Sequence, residues 1–259
     1  MSALRRPTII VTGGSRGIGL ACLELLLTAF APPVNLVSLS RSLPARLQGL
    51  KKSHHENLLV VQGDVKNDHA NQEVVESAIK KFGSIDGLIL NSGVIDFERI
   101  DNNQSIEKWK EVFDINFFPL VSILKHSLVH LRKSKGRVIF ISSTASVQGV
   151  SSLGSYGASK AAMNSLCRTL AAEEPEITSI SLRPGVTDTD MQEKIRSEGK
   201  GLMTPEVYQS LHDLFTSSKI VKPEKPAEVI TNLVIRADHD KLTGKFLSWD
   251  DDELESYRT

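Results

Sequence analysis

The chain has 259 residues, 40% of them apolar, and its 31 basic and 31 acidic residues give a formal net charge of zero. This length suits one large α/β domain, and a balanced charge provides no field for holding nucleic acid or an anionic membrane surface. We expect no apolar run of bilayer length, and the amino terminus enters a strand without a signal-peptide pattern. Cys22 and Cys167 fall in predicted helices, so we expect a cytoplasmic protein in which both pack as small apolar residues.

The first motif is a glycine-rich turn between a strand and a helix. A β-branched run at 8–11 is followed by Thr-Gly-Gly-Ser-Arg-Gly-Ile-Gly over 12–19 and then by an apolar helix. Glycine lets the backbone approach a pyrophosphate, and the new helix offers free N–H groups and the positive end of its dipole. This order of strand, turn and helix predicts a dinucleotide-binding site.

Strands and helices alternate along the rest of the chain. Six further apolar runs predict strands near 34–39, 58–61, 85–90, 138–141, 177–182 and 245–249. Between them we predict a polar helix at 67–82, a long helix at 105–132 and a last helix opened by Pro226. Because no repeat or linker divides the chain, residues 1–259 are expected to form a single α/β domain with a doubly wound, seven-stranded parallel sheet.

The end of the second predicted strand bears on the choice of cofactor. It reads Ser40-Arg41-Ser42 and lacks the acidic residue that usually binds the ribose 2′-hydroxyl of NAD. Arg41 and Arg16 of the glycine turn instead offer two guanidinium groups that suit a 2′-phosphate. The pattern therefore favours NADPH.

The candidate catalytic residues Ser143, Tyr156 and Lys160 follow the fifth predicted strand. Tyr156 and Lys160 are four residues apart in a helical pattern, so both side chains can point into one pocket. An ammonium group beside a phenol favours the phenolate and is expected to lower the pKa of Tyr156. Such a tyrosine can pass a proton at neutral pH while Ser143 holds the receiving oxygen, which is the chemistry of a carbonyl or an alcohol.

Together these motifs resemble the short-chain dehydrogenase/reductase family. The glycine turn at 12–19 matches that family's Thr-Gly-x-x-x-Gly-x-Gly, and Asn91-Ser92-Gly93 departs from its Asn-Ala-Gly by one hydroxyl. The resemblance implies a Rossmann fold and a catalytic tetrad, in which an asparagine behind the lysine links that lysine to solvent through water. The tetrad comprises Ser143, Tyr156, Lys160 and Asn116.

The same resemblance implies a set of cofactor contacts. It places Asp64 at the adenine ring, the turn at Pro184 beside the nicotinamide amide, and Thr189 on the phosphate side. The expected cofactor-binding residues are Gly13, Ser15, Arg16, Gly17, Ile18, Gly19, Arg41, Asp64, Val65, Asn91, Gly93, Tyr156, Lys160, Pro184, Val186 and Thr189.

Residues 187–221 are longer than a plain connection and contain helical patches at 191–196 and 205–215. Long connections with small helices of their own are often lids, so we predict a substrate lid here. Together with residues 143–155 it is expected to enclose a pocket for a compact, uncharged ketone. The lid residues expected to line that pocket are Met191, Met203, Tyr208 and Phe215.

The segment 188–192, Asp-Thr-Asp-Met-Gln, resembles the sepiapterin reductase branch of the family, and in particular its bacterial and fungal benzil reductases. This resemblance implies reduction of one carbonyl of a vicinal diketone. Two alternatives stay open. Lys194, Arg196 and Lys200 could serve a 3-oxoacyl thioester, whereas a non-catalytic NADPH-binding sensor would keep the glycine turn and tolerate loss of the tetrad.

The long helix also bears on partners and metals. Family members of this kind commonly pair the long helix and the catalytic helix that carries Tyr156 and Lys160 in a four-helix interface, so the resemblance implies a homodimer. No metal site is expected, because His126 and His130 lack a third ligand. The acidic residues 250–255 are expected to form a solvated tail. The apolar stripe of the long helix comprises Phe113, Phe117, Leu120 and Leu124.

Overall fold

The computed structural model of the protein describes residues 5–30, 33–100 and 106–258, and all seven predicted strands lie within these ranges. The strands pair in parallel in the order β3-β2-β1-β4-β5-β6-β7, so the predicted doubly wound parallel sheet is confirmed. The strands are β1 Thr8–Thr12, β2 Asn35–Ser40, β3 Leu58–Gln62, β4 Gly87–Leu90, β5 Arg137–Ile141, β6 Thr178–Arg183 and β7 Phe246–Ser248.

Helices cover both faces of this sheet. The helices of the described chain are α1 Gly17–Thr28, α2 Ala45–Ser53, α3 Asp68–Phe82, α4 Ile106–Asn116, α5 Phe118–Ser134, α6 Gly154–Glu173, α7 Asp190–Glu198, α8 Pro205–Thr216, α9 Glu224–Arg236 and α10 His239–Leu242. Helices α1, α2 and α9 share one core with the sheet, and α3, α4, α5 and α6 share the core on its other face. The short helices α2 and α10 were not predicted.

Side chains of the central strands alternate between these two cores. In β1, Ile9 and Val11 belong to the core with α1, whereas Ile10 belongs to the core with α3. In β5, Ile139 and Phe140 divide in the same way. Because both faces are covered, these strands are apolar at nearly every position, which is why short continuous β-branched runs predicted them.

The strand order reverses between β1 and β4. Connections from β1 lead outward to β2 and β3 on one side, and those from β4 lead outward to β5, β6 and β7 on the other. In open parallel sheets a crevice forms at such a switch point, beyond the carboxyl ends of the strands. The glycine turn after β1 and the segment after β4 therefore open into the same crevice.

The predicted long helix is two helices, which corrects the sequence interpretation. Pro119 has no N–H group to continue a helical ladder, and α4 ends at Asn116 while α5 begins at Phe118. The Phe117 N–H still donates to Phe113, and Leu120 then donates to Phe117. The predicted start of the long helix, Ser105, lies outside the described residues.

The helical stretch Ile106–Ser134 is long and apolar enough to cross a membrane by length and composition. The expectation that no segment reaches this length was therefore wrong. This is weak evidence for a membrane span, because the core helix of a soluble protein passes the same test. Here α5 packs against α3, and α4 packs against α6, in the layer that covers the sheet.

The acidic carboxyl-terminal segment is not a plain solvated tail. Residues Asp252–Tyr257 form a 3₁₀ helix in which Leu254 is fully buried and Tyr257 is 7% exposed. One turn of a 3₁₀ helix separates these two residues, so both side chains reach the same side and pack into the core with α9. The Asn232 amide donates to the Tyr257 carbonyl at 3.1 Å.

The chain between β6 and α9 makes an excursion that contains α7 and α8. A parallel bridge joins Thr187 to Val221, and the Asp188 N–H donates to the Val221 carbonyl at 2.8 Å. The two ends of the excursion therefore meet at the boundaries that the sequence indicated. Ile195 and Met203 are the buried apolar residues that attach it to the domain. Its role as a lid remains a prediction.

Candidate active site

The glycine turn after β1 forms a close-fitting cradle at the start of α1. Gly17 has a left-handed φ of 54°, and a Cβ on Gly19 would lie 2.3 Å from the Gly13 carbonyl oxygen. No side chain caps α1, so its first N–H groups are available to an external acceptor. Both properties fit a pyrophosphate, which needs close backbone approach and N–H donors.

Asn91 and Thr12 fix this cradle to the end of β4. The Asn91 amide donates to the carbonyls of Thr12 and Gly13 at 3.1 and 3.2 Å. The N–H groups of Asn91 and Ser92 both donate to the Thr12 hydroxyl, at 3.0 and 3.1 Å. The Asn91 side chain therefore holds the glycine turn in position, which is a structural task that sequence reasoning did not assign to it.

Ser143 lies at the end of β5 in a segment that is tied to α6. The Ser142 hydroxyl donates to Asn164 Oδ1 at 2.7 Å, and Asn164 Nδ2 donates to the Ser146 hydroxyl at 2.8 Å. Sequence analysis missed Asn164, although it lies four residues after Lys160 and therefore on the same face of the helix. Asn164 fixes the loop that presents Ser143 to the residues of α6.

Tyr156 lies in the first turn of α6 and is 7% exposed. Burial raises the pKa of the Tyr156 phenol, and the opposing hydrogen bond with Ser143 lowers it by less. The expectation of a lowered phenol pKa was therefore wrong. A buried phenolate loses its hydration, and this cost exceeds the stabilisation by Ser143.

Lys160 lies one turn beyond Tyr156 and is 3% exposed. Its Nζ donates to the Ile141 carbonyl at 2.6 Å and lies 5.8 Å from the centre of the Tyr156 ring. Burial lowers the pKa of Lys160 to about 7. This lowering reduces the charged fraction of Lys160 near neutral pH, which weakens the predicted effect of its ammonium group on the phenol.

Asn116 is fully buried at the end of α4 and joins that helix to the segment after β4. The Val94 N–H donates to Asn116 Oδ1 at 2.8 Å, and Asn116 Nδ2 donates to the Val94 carbonyl and to the Ser159 hydroxyl, both at 3.0 Å. Both amide hydrogens are therefore occupied. The expected water molecule that links Asn116 to Lys160 would therefore have to donate a hydrogen bond to a carbonyl oxygen of Asn116.

Gly93 provides the space between these groups. A Cβ on Gly93 would lie 3.4 Å from Asn116 Oδ1 and 3.5 Å from Lys160 Nζ. Asn116, Tyr156 and Lys160, together with Ser143 beside the phenol, therefore form one cluster at the carboxyl ends of β4 and β5.

A cavity of about 530 Å³ opens above this cluster. Its floor includes Ser143 and Tyr156, and one wall carries four of the predicted cofactor-binding residues, Ile18, Pro184, Val186 and Thr189. Most of the other walls are aliphatic. The aliphatic residues that line it are Ile95, Ala145, Val150, Leu153, Met191, Ile195, Val207 and Leu211.

The lid residues predicted to line this cavity need correction. Met191 does so, but Met203 is buried in the core beside Ile195. The Tyr208 hydroxyl donates to the Arg196 carbonyl at 2.9 Å, and Phe215 stacks against the guanidinium of Arg196 at 3.9 Å. The side chains of α8 that do line the cavity were missed because the sequence pattern does not show which face of a short helix turns inward. They are Glu206, Val207, Ser210 and Leu211.

The predicted contacts for the adenosine end lie beyond β2 and β3. The Gly63 N–H donates to the Ser40 carbonyl at 3.1 Å, which brings the ends of the two strands together. Arg41 is exposed there, and Asp64 Oδ1 accepts the Lys66 N–H at 3.0 Å. Val65 is buried, and Ser15 is half-buried in the glycine turn.

Arg16 contacts the excursion instead of the end of β2. Its Nη1 lies 2.5 Å from Asp190 Oδ2 at the start of α7, and both side chains are more than half exposed. A Cβ on Gly17 would lie 3.1 Å from the Thr189 methyl group, so the glycine turn and the excursion pack closely at this point.

The comparison with known sequences decides the family. The sequence model of a family described as short chain dehydrogenase matches residues 7–200, which is more than half of the chain. The chain belongs to the short-chain dehydrogenase family. Members of this family use NAD(H) or NADP(H), and the cradle of the glycine turn fits the pyrophosphate that these cofactors share.

Three relatives of this family are informative. A benzil reductase of Saccharomyces cerevisiae that forms (S)-benzoin is 32% identical over 256 residues, covering 95% of this chain and 97% of the relative. The crystal structure of a short-chain dehydrogenase/reductase from the same yeast has a TM-score of 0.94 at 34% identity, covering 98% of this chain and 100% of that one. The structure of ElxO with NADP bound has a TM-score of 0.76 at 25% identity, covering 94% and 96%.

The basic residues of the excursion do not line the cavity of this short-chain dehydrogenase. Lys194 Nζ donates to the Ile95 carbonyl at 3.0 Å and lies 3.7 Å from Glu198. The Arg196 guanidinium lies against Phe215, and Lys200 is exposed. None of the three bases that could have served an acyl thioester therefore lines the cavity above Tyr156.

Over residues 5–30, 33–100 and 106–258, no group of three His, Cys, Asp or Glu side chains is arranged to hold a metal ion. His126 Nε2 lies 3.2 Å from Asp68 Oδ1 on α3. His130 lies in the groove between α3 and α5, where burial lowers its pKa.

Proposed function

We propose that the protein is an NADPH-dependent carbonyl reductase that reduces one carbonyl of a small vicinal diketone to an α-hydroxy ketone. The observation that carries this proposal is the position of the Tyr156 and Ser143 side chains on the floor of a 530 Å³ cavity with largely aliphatic walls. The similarity to a benzil reductase along nearly the whole chain supports the same substrate class.

The proposed roles of the cluster follow from its geometry. Bound NADPH would supply the hydride. Ser143 orients the substrate oxygen, and Tyr156 gives it a proton as general acid. Because burial raises the pKa of Tyr156, the phenol keeps its proton at neutral pH, which is the form that reduction requires. Lys160 in its charged form favours the phenolate that remains, and Asn116 holds the segment after β4 beside it.

The residues that would hold NADPH lie along the crevice. In this assignment Gly13, Gly17 and Gly19 admit the pyrophosphate, the turn at Pro184 contacts the nicotinamide amide, and Thr189 lies on the phosphate side. Arg16 and Arg41 bind the 2′-phosphate, since guanidinium groups grip phosphate through paired hydrogen bonds. The neighbouring structure with NADP bound is consistent with this choice of cofactor.

The cavity supports a compact, uncharged diketone. Aliphatic walls hold such a substrate mainly by burial of apolar surface and offer few directional contacts. A second carbonyl beside the first withdraws electrons and makes hydride attack easier. A vicinal diketone can therefore react in a site that grips it weakly, which is harder for an isolated ketone.

The two alternatives receive less support. A 3-oxoacyl thioester carries a phosphopantetheine group, and Lys194 and Arg196, which could contact it, are engaged elsewhere. A non-catalytic NADPH-binding sensor has no need for Ser143, Tyr156 and Lys160 to converge below one cavity.

Residues 187–221 are proposed to close over the substrate as a lid. The bridge between Thr187 and Val221 gives the excursion a narrow base, and few buried apolar residues attach its far end. A cytoplasmic location is part of the same proposal. It suits the free, buried thiols of Cys22 and Cys167, which a reducing compartment leaves unpaired.

The protein is further proposed to form a homodimer through the former long helix, now α4 and α5, and the catalytic helix α6. Leu120 and Leu124 of the predicted apolar stripe are buried in the core. Phe118 and Val129 lie outside that stripe on α5, and their side chains are 55% and 50% exposed. We expect a dimer mass by light scattering at micromolar concentration. Val129→Asp should shift it towards the monomer, whereas Val147→Asp, at a residue 60% exposed elsewhere, should not. A monomeric wild-type protein would contradict the proposal.

The substrate class is tested by a panel of NADPH-oxidation assays. The panel contains vicinal diketones, a pterin with a dicarbonyl side chain, a short 3-oxoacyl thioester and simple aldehydes. We expect kcat/KM to be highest for a vicinal diketone. Faster reduction of the thioester or of isolated ketones would make the diketone assignment wrong while leaving the reductase assignment intact. No reduction of any carbonyl by protein that binds NADPH would favour the sensor.

A further inference from the structure

The mouth of the reaction cavity carries a single charge. Of the side chains that line this cavity in the described part of the chain, Glu206 is the one carboxylate, and no Lys, Arg or His joins it. The other polar residues of its walls are uncharged and include Gln148, Gln192 and Ser210, and aliphatic residues make up much of the rest. Among the lining residues that the structure describes, no second charged side chain offsets the field of Glu206.

Glu206 lies where the cavity meets solvent. It belongs to the first turn of α8, and it also lines a second, more open cavity of about 460 Å³ on the outer side of that helix. Ser210, one turn further along α8, lines both cavities as well. A ketone whose carbonyl rests on Tyr156 shares its cavity with Glu206, so a charged group elsewhere on that ketone would lie in the field of this carboxylate.

The carboxylate of Glu206 is free to act on a ligand. Within residues 5–30, 33–100 and 106–258, no ion pair or side-chain hydrogen bond engages it. Lys219, which lines the second cavity with Glu206, does not line the reaction cavity. Glu206 is exposed, so solvent screens its charge in part, but the aliphatic residues of the cavity wall screen it less than bulk water does.

We infer that Glu206 is a specificity-determining residue, which admits ketones with an uncharged or cationic far end and rejects those with a carboxylate or phosphate there. This inference rests on the proposed reductase function and narrows its substrate class. A keto acid whose carboxylate is remote from the reacting ketone, or an acyl thioester with its phosphates, would meet the charge of Glu206 in the cavity. A neutral aromatic diketone would not.

The test uses three matched substrates with NADPH. They are 1-phenyl-1,2-propanedione and its para-carboxylate and para-ammoniomethyl derivatives. For each substrate, kcat/KM of Glu206→Gln is divided by that of the wild type, so that the intrinsic reactivity of the ketone cancels. Glu193→Gln is the control, because Glu193 is an exposed carboxylate of α7 that lines neither cavity.

We expect Glu206→Gln to raise kcat/KM for the carboxylate on the order of threefold to tenfold, as for a partly screened charge several ångströms away. It should lower kcat/KM for the ammonium compound by a similar factor and leave the neutral diketone within about twofold. In 1 M salt, where the screening length falls to about 3 Å, the preference of the wild type should shrink. An equal change for all three substrates would mean that Glu206 only supports α8, and would overturn the inference.

A binding measurement separates this inference from the proposed function. Dissociation constants of the three matched α-hydroxy ketones, measured by calorimetry on the NADPH complex, need no turnover. If the neutral diketone is not reduced, the proposed function fails, yet a charge-dependent ratio of these constants still supports the role of Glu206. The same ratio in the wild type and in Glu206→Gln would refute that role even in an active reductase.

Discussion

The cluster at the carboxyl ends of β4 and β5 and the excursion that covers it are built in different ways. Tyr156, Lys160 and Asn116 are at most 7% exposed, and the last two are held by hydrogen bonds to backbone carbonyls. In the excursion, α8 has no fully buried residue, and Ile195 and Met203 are its main attachments.

This difference assigns chemistry and selectivity to separate parts of the chain. A proton donor must lie within a fraction of an ångström of its target, and such precision requires packed, hydrogen-bonded surroundings. The choice of substrate depends on the shape and charge of the covering walls, which can change without disturbing the cluster. Substitutions in the two regions should therefore have different signatures.

The largest expected effect comes from the cluster. Tyr156→Phe removes the proton donor, and general acid catalysis contributes typically about 10²–10⁴-fold. We expect kcat for diketone reduction to fall by that factor, while NADPH binding and the melting temperature change little. Tyr208→Phe removes a hydroxyl from the excursion instead, where it donates to the Arg196 carbonyl. That control should keep most of the activity. A Tyr156→Phe enzyme with more than about a tenth of wild-type activity would remove Tyr156 from this role.

The cofactor preference gives the next largest effect. Arg41→Asp replaces a proposed phosphate contact with a repelling charge, so the dissociation constant of NADPH should rise on the order of tenfold or more, as for loss of a charge-assisted hydrogen bond. Binding of NADH should be unchanged. Lys51→Asp on α2 makes the same change of charge nearby and is the control. Equal affinity of the wild type for the two cofactors would contradict the assignment.

The effect of burial on the pKa of Lys160 can be measured without substrate, through the pH dependence of the free energy of unfolding. Its pKa in the folded protein is lowered from 10.5 to about 7, so between these pH values the unfolded chain binds more protons. The free energy of unfolding should therefore rise with pH in this window, by up to about 1.4 kcal/mol per pH unit.

The comparison is made against Lys160→Met, which lacks this ionisation, by urea unfolding between about pH 7 and pH 10. The stability difference between wild type and variant should grow in favour of the wild type as the pH rises. Lys108→Met, at an exposed position of α4, should show no such trend. A difference independent of pH would mean that Lys160 stays charged in the folded protein.

The same two regions explain what the sequence could predict. The strands have apolar runs because both sheet faces are covered, and the spacing of Tyr156 and Lys160 follows from helix geometry, so local patterns were sufficient for both. The sign of the pKa shift of Tyr156 was missed because burial depends on the whole fold. Glu206 was missed because the inward face of α8 is decided by how the excursion packs against the domain.

The contact between Arg16 and Asp190 joins the two regions and carries the smallest expected effect. Arg16 belongs to the glycine turn and is proposed to bind the 2′-phosphate, yet here it pairs with the first residue of α7 at 2.5 Å. If the phosphate has to displace Asp190, the cost is that of an exposed ion pair, about 0.2–1 kcal/mol. Asp190→Asn should then tighten NADPH binding by about two- to fivefold without changing NADH.

High salt should abolish this gain, because both partners are exposed, and Glu193→Gln in the same helix should not produce it. Weaker NADPH binding by Asp190→Asn would have the opposite meaning. Asp190 would then orient Arg16 for the phosphate, and the pair would link the closing of the excursion to the arrival of the cofactor instead of opposing it. The direction of this one small change therefore decides whether the excursion competes with the cofactor or cooperates with it.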